Sequence, residues 1–140
     1  MIHNIARGIC LDGDKILLAY QKKLNYYFLP GGHIERNESA MTALKREFIE
    51  ETGVSVTVKN LFMIFEHQWG KEKIQHEINF IFFVKIQKKE KIDSRVKYLS
   101  FHWVPLSELN KKIFLPKELK REIKKSAMGA SKKIFYSSLK

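Results

Sequence analysis

The stretch that most constrains this chain runs from residue 30 to residue 54, PGGHIERNESAMTALKREFIEETGV. Pro30 halts an apolar run. Gly31 and Gly32 permit positive φ and let backbone approach a ligand closely. Asn37 can take the left-handed conformation that most residues resist, and Glu38 favours the positive end of a helix that follows it. Ser39 is an N-cap candidate and Gly53 stands where a helix stop belongs, so the spacing predicts a helix over 39–52. Ala40, Leu44 and Phe48 form its apolar face. Glu47, Glu50 and Glu51 fall within roughly 100° of arc beside that face. Three carboxylates on the border of a buried surface repel one another. They must raise each other's pKa or take up a cation. Carboxylate oxygens suit Mg²⁺ or Mn²⁺, and Mg²⁺ characteristically joins a few carboxylates to substrate phosphates.

The rest of the chain supplies strands. IARGICL and KILLAYQ flank Asp12-Gly13-Asp14, a strong hairpin signal. VSVTV alternates, with Val54, Val56 and Val58 on one face, and LFMIFEH continues as a strand. HEINFIFFVKI puts Ile78, Phe80, Phe82, Val84 and Ile86 on one face and Glu77, Asn79, Ile81 and Phe83 on the other. QKKEKIDSR reads as a solvated connector, and VKYLSFHWV as a last strand stopped by Pro105. PLSELNKK fits a short helical turn. A final helix follows over 115–128, with Pro116 near its first position and Leu119, Ile123 and Ala127 as its apolar stripe. The last eleven residues carry no decisive pattern. With 140 residues, strands mixed with two helices imply a single layered α/β domain over 1–140.

Charge and cysteine content limit the function classes. Residues 1–84 hold ten Lys/Arg and ten Asp/Glu, whereas residues 85–140 hold sixteen and five, so the formal excess of +11 lies in the second part. A polyanionic partner or a solvated lysine-rich surface would each account for it. Lys117, Lys120, Arg121 and Lys124 share one face of the final helix, which makes RNA a candidate partner. The single cysteine, Cys10, sits in an apolar run and excludes an internal disulfide framework and a multi-cysteine metal site. The first residues lack the layout of a signal peptide, and no apolar stretch reaches membrane-spanning length. A cytoplasmic protein without a membrane partner is the expectation.

The 30–54 segment resembles the signature of the Nudix hydrolase family. That signature runs Gly, five residues, Glu, seven residues, Arg-Glu, an apolar residue, any residue, Glu-Glu, any residue, Gly, an apolar residue. Gly32, Glu38, Arg46-Glu47-Phe48, Glu50-Glu51 and Gly53-Val54 fill every fixed position. FLPGG before it, and FHWVPLSEL and LPKEL after it, extend the likeness over most of the chain. The resemblance implies a Nudix-type α/β/α sandwich with a mixed β-sheet, and metal-dependent hydrolysis of a diphosphate linkage in a nucleoside diphosphate derivative. By matching position, Glu47, Glu50 and Glu51 would bind Mg²⁺ or Mn²⁺, with the Gly32 carbonyl as a further ligand. Arg46 and Glu38 would orient the carboxylates. Glu50 is the first choice to accept the proton of the attacking water, with Glu77 and Glu35 as alternatives. His33 could touch phosphate. Trp69, Tyr26 and Tyr27 are open to stacking on a base, while Phe28 reads as structural. RNA 5′ ends are an alternative substrate, and a non-catalytic nucleotide- or nucleic-acid-binding module is an alternative of another class. Either a monomer or a homodimer fits, and nothing in the sequence selects one nucleotide.

Overall fold

The computed structural model describes residues 1–87, 92–127 and 133–139, and of Ala127 the backbone alone. Strands β1 (Ile2–Asp12) and β2 (Lys15–Gln21) meet at the expected turn, where Gly13 takes φ 60°. Their pairing covers only Leu11↔Ile16 and Asp12↔Lys15. Beyond it the two strands part, because each finds longer partners elsewhere. On one side β1 pairs in parallel with β6 (Gln75–Ile86), from Ile2↔His76 to Cys10↔Val84. On its other side it pairs with β4 (Gly31–His33). Strand β2 pairs with β3 (Tyr26–Phe28) and with β7 (Leu99–Pro105). The turn is therefore the joint between two wings of one mixed sheet.

The segments VSVTV and LFMIFEH form a single strand, β5 (Val56–Trp69), antiparallel to β6. Its register shifts between Val58 and Leu61 and again between Leu61 and Met63. Such a bulge breaks the alternation locally, which is why the sequence reads as two pieces. The undecided C-terminal stretch adds a short edge strand, β8 (Phe135–Ser137), parallel to β5.

Helix α1 (Ala40–Thr52) covers one face of the sheet. Ala43, Leu44 and Phe48 pack there against Ala6, Cys10, Leu17, Val56 and Val84. Ala40 is only half-buried, and Ala43 takes its place on the buried stripe. Helix α2 (Lys117–Ala127) covers the other face, with Leu119 and Ile123 set among Ile9, Leu18, Phe65 and Ile81. A strand covered on both faces needs apolar residues on both, which explains the two apolar faces of β6. The architecture is the expected α/β/α sandwich. The Pro116 carbonyl accepts the Leu119 N–H at 3.1 Å and so opens α2. Lys117, Arg121 and Lys125 are exposed on that helix, while the Lys120 ammonium donates to the Lys112 carbonyl at 3.1 Å. Met128 of the expected helix and residues 88–91 of the expected connector lie outside the described residues. Among the described residues no helix is long and apolar enough to cross a membrane.

Candidate active site

The site begins at the glycine turn between β3 and α1. Gly31 takes φ 142°, and a Cβ on it would collide with the Ala6 carbonyl oxygen of the neighbouring strand. A Cβ on Gly32 would lie 2.6 Å from either carboxylate oxygen of Glu47. The first glycine thus lets β4 lie against β1, and the second lets a glutamate of α1 lie against the turn. Helix α1 starts where expected: the Ser39 hydroxyl accepts the Thr42 N–H at 3.0 Å. It ends at Gly53 in the left-handed conformation (φ 73°), with its N–H donating to the Ile49 carbonyl.

Arg46 organises the acidic groups. Its Nε donates to Glu38 Oε2 at 2.7 Å and its Nη2 to Glu38 Oε1 at 2.9 Å, a bidentate pair. Nη1 donates to Glu47 Oε1 at 3.0 Å and to Glu50 Oε2 at 3.1 Å. Nη2 also reaches the His33 carbonyl at 3.0 Å, which ties α1 to the end of β4. The Arg46 hydrogen bonds, helped by the Glu35 N–H, hold the Glu38 carboxyl down at about 2. The same bonds push the arginine's own pKa up.

Glu51 lies outside that network. It is 9% exposed, and its Oε2 is buried without any hydrogen-bond partner. Burial, then the charge of Glu47, pushes its pKa up to about 8, against the opposing pull of Arg7 and the Gly31 N–H. An unsatisfied buried carboxylate oxygen is costly. Beside Glu47, Glu50 and the Gly32 backbone it completes a set of hard oxygen donors of the kind that suits a divalent cation. Among the described residues no three side chains already converge as ligands. Glu47 and Glu50 each lean on Arg46 through one oxygen, which leaves Glu47 Oε2 and Glu50 Oε1 off the guanidinium.

On the α2 side of the sheet, next to this turn, lies a cavity of about 460 Å³. Arg7, Tyr26, Phe28, Trp69, Glu77 and Asn79 line it, and the chain leading into α2 closes it. Arg7 connects the two places. Its Nη1 donates to the carbonyls of Leu29 (3.2 Å) and Gly31 (3.3 Å), its Nε reaches Asn79 Oδ1 at 3.5 Å, and its guanidinium stands over the Phe28 ring at 5.4 Å. Burial lowers its pKa, opposed by Glu77 and Glu51. Glu77 Oε1 faces His67 Nε2 at 3.2 Å, and Glu77 Oε2 accepts the Trp69 indole N–H at 3.0 Å. Burial works against its charge. The bonds from His67 and Trp69, with Arg7 behind them, outweigh it and hold the carboxyl at about 2.

The NUDIX domain family profile matches residues 2–126. The chain belongs to the Nudix family. It is 30% identical over 110 residues to the 8-oxo-dGTP diphosphatase of Buchnera aphidicola subsp. Schizaphis graminum, a match covering 76% of this chain and 79% of that one. Among solved structures it superposes on the mutator MutT protein from Bacillus halodurans with a TM-score of 0.68 at 24% identity, covering 97% of this chain and 91% of the other. On the Nudix hydrolase from Nitrosomonas europaea the TM-score is 0.72 at 21% identity, with 94% and 93% covered. The family profile and the Buchnera relative make the chain a Nudix hydrolase.

Within this Nudix fold, Glu38, Arg46, Glu47 and Glu50 form one connected cluster, and Glu51 and Gly32 lie beside it. Glu77 is separate, on the cavity wall. Glu35 Oε1 lies 3.8 Å from Arg46 Nη1, at the exposed rim of the cluster. His33 is exposed, with its Nε2 3.3 Å from His3 Nδ1. Tyr26 and Trp69 do line the cavity, and so does Phe28, which the sequence presents as structural. Tyr27 instead packs on Tyr20, with ring centroids 4.7 Å apart. Sequence reasoning missed Arg7 and Asn79. The available signal was an arginine in the middle of the otherwise apolar IARGIC and an asparagine between apolar residues of β6.

Proposed function

We propose that this Nudix hydrolase cleaves a diphosphate linkage in a nucleoside diphosphate derivative, using a divalent ion held by Glu47, Glu50, Glu51 and the Gly32 carbonyl. The observation that carries this reading is the buried, unpartnered Glu51 Oε2 beside two further carboxylates. The name of the Buchnera relative, 8-oxo-dGTP diphosphatase, supports a nucleotide as the substrate. A bound ion would neutralise the diphosphate and acidify a water molecule. The chain's own groups do the rest. Arg46 is paired with Glu38, and that pairing fixes the guanidinium against which Glu47 and Glu50 rest. Glu50, the most solvent-accessible of the three at 57%, accepts the proton of the attacking water. Arg7 holds the glycine turn through its carbonyls and leaves positive charge beside the path from cavity to turn.

The test is hydrolysis of a panel of nucleoside triphosphates, nucleotide sugars and dinucleoside polyphosphates, with Mg²⁺ or Mn²⁺ and with chelator, products resolved by mass. Ion-dependent release of a nucleoside monophosphate with pyrophosphate or a second phosphate ester is expected. No product across the panel, or turnover indifferent to chelator, would overturn the reading.

A further inference from the structure

The cavity wall carries a feature that diphosphate cleavage does not use. Glu77 is mostly covered, with its side chain 15% exposed, and it faces a space walled by Tyr26, Phe28 and Trp69. An ionised carboxylate only accepts hydrogen bonds and offers about four lone-pair positions. Nearest to it, the His67 ring nitrogen and the Trp69 indole N–H take one position on each oxygen. They fix the carboxylate plane, and about two positions remain. Aromatic walls accept any base face. The carboxylate is selective about the edge.

Resting on the function proposed above, we propose that Glu77 determines base specificity, accepting the paired N1–H and N2–H of a guanine-type base stacked in this cavity. Among the bases only guanine presents two adjacent N–H donors. Adenine and cytosine each offer an amino group beside a bare ring nitrogen, whose lone pair would face the carboxylate. Uracil and thymine offer one N–H between two carbonyls. A site built to bond a donor rejects the analogue that lacks it, because its own buried acceptor then goes unpaired. Position agrees with this role. Arg7 lies in the same wall and bonds the Gly31 carbonyl of the glycine turn. A base lodged at Glu77 therefore directs its phosphates toward the glycine turn and the three glutamates. Glu77 also stays charged well below neutral pH, so it offers acceptors and no proton.

The experiment measures equilibrium binding of GMP, IMP and AMP by calorimetry in the presence of chelator, for the wild type and for Glu77→Gln. IMP keeps N1–H and lacks the 2-amino group. The wild type should bind GMP roughly ten-fold more tightly than IMP, and IMP more tightly than AMP, as expected for hydrogen bonds to a charged acceptor. Glu77→Gln replaces one of the two acceptor oxygens by an NH₂ donor and removes the charge, and it should bring the three within about three-fold of one another. Equal affinities in the wild type, no binding of any of the three, or a folded variant that keeps the full preference overturns the proposal. Should the variant not fold, the wild-type series alone decides. Because no ion and no turnover enter this measurement, a guanine preference without hydrolysis would remove the proposed activity and leave Glu77's role standing.

Discussion

Glu51 and Glu77 are both largely buried carboxylates, and both feel the charge of Arg7, yet their protons behave in opposite ways. Glu51 is pushed up to about 8, and Glu77 is held at about 2. Burial opposes ionisation at both places. Donors at Glu77 and the like charge of Glu47 beside Glu51 make the difference. Glu77 has a ring nitrogen at one oxygen and an indole N–H at the other, whereas one oxygen of Glu51 has nothing. The cavity is electrostatically complete before any ligand arrives. The α1 cluster is short of positive charge, which the proposed ion would supply.

The largest effect expected from breaking this contrast is at Glu51. Glu51→Gln should lower kcat by about a thousand-fold or more, at the upper end of what losing one electrostatic stabiliser costs. The same variant, freed of metal by chelator, should be the more stable protein at alkaline pH. Native Glu51 keeps its proton up to about 8, while the unfolded chain releases it near 4.5. Between those values the native state binds more protons, so stability falls as pH rises through the window. The glutamine removes that loss, which amounts to up to about 3 kcal/mol. Denaturant titrations at pH 5 and pH 9 check it. Equal slopes with pH in wild type and variant would mean that Glu51 is no more strained than Glu77.

Next come the two adjacent glycines, which separate fold from chemistry. Gly31→Ala drives a Cβ into the Ala6 carbonyl at a φ that alanine disfavours, and neither backbone can yield. It should cost about 3 kcal/mol of stability or more. Gly32→Ala meets only the movable end of Glu47. It should cost about 1 kcal/mol of stability and lower turnover at least ten-fold by turning Glu47 away. Thermal melts paired with initial rates distinguish the two. A Gly32→Ala protein with native turnover would take Glu47 out of the working site.

The two regions also differed in how far the sequence disclosed them. The α1 cluster comes from one contiguous segment. Helical periodicity alone puts Glu47, Glu50 and Glu51 on one side, and the spacing to Gly32, Glu38 and Arg46 is local. The cavity is assembled from β1, β3, β5, β6 and the approach to α2. Arg7, Trp69, Glu77 and Asn79 become neighbours only through strand register, such as Arg7↔Ile81 in β1 and β6 and His67↔Glu77 in β5 and β6. No periodicity in a single segment encodes that pairing. The fold shows the same division. Strands with clean alternation and both helices were readable, whereas the β5 bulge interrupts its own pattern and β8 has only three residues, held by the edge it pairs with. The unpartnered oxygen of Glu51 was invisible for the same reason. Sequence places three carboxylates side by side, but only the packed turn decides which of them loses water.

The smallest expected effect lies at Glu77, in acid. Its folded pKa is depressed, so between about 4.5 and 2 the unfolded chain binds the proton that the native state refuses. The resulting stability is fully present above about pH 4.5 and is lost as pH falls toward 2. Glu38 and Glu66 are lowered as well, through Arg46 and His76, so the whole acid slope does not belong to Glu77. The difference between wild type and Glu77→Gln does. Because the group is covered but borders an open cavity, that difference should be about 1–2 kcal/mol between pH 5 and pH 2.5, with the wild type losing more. Denaturant midpoints at those two pH values measure it. Parallel losses in the two proteins would show that His67 and Trp69 do not hold the Glu77 charge. The opposition between a satisfied cavity and an unsatisfied helix would then rest on the like charge of Glu47 beside Glu51 and not on donors at Glu77.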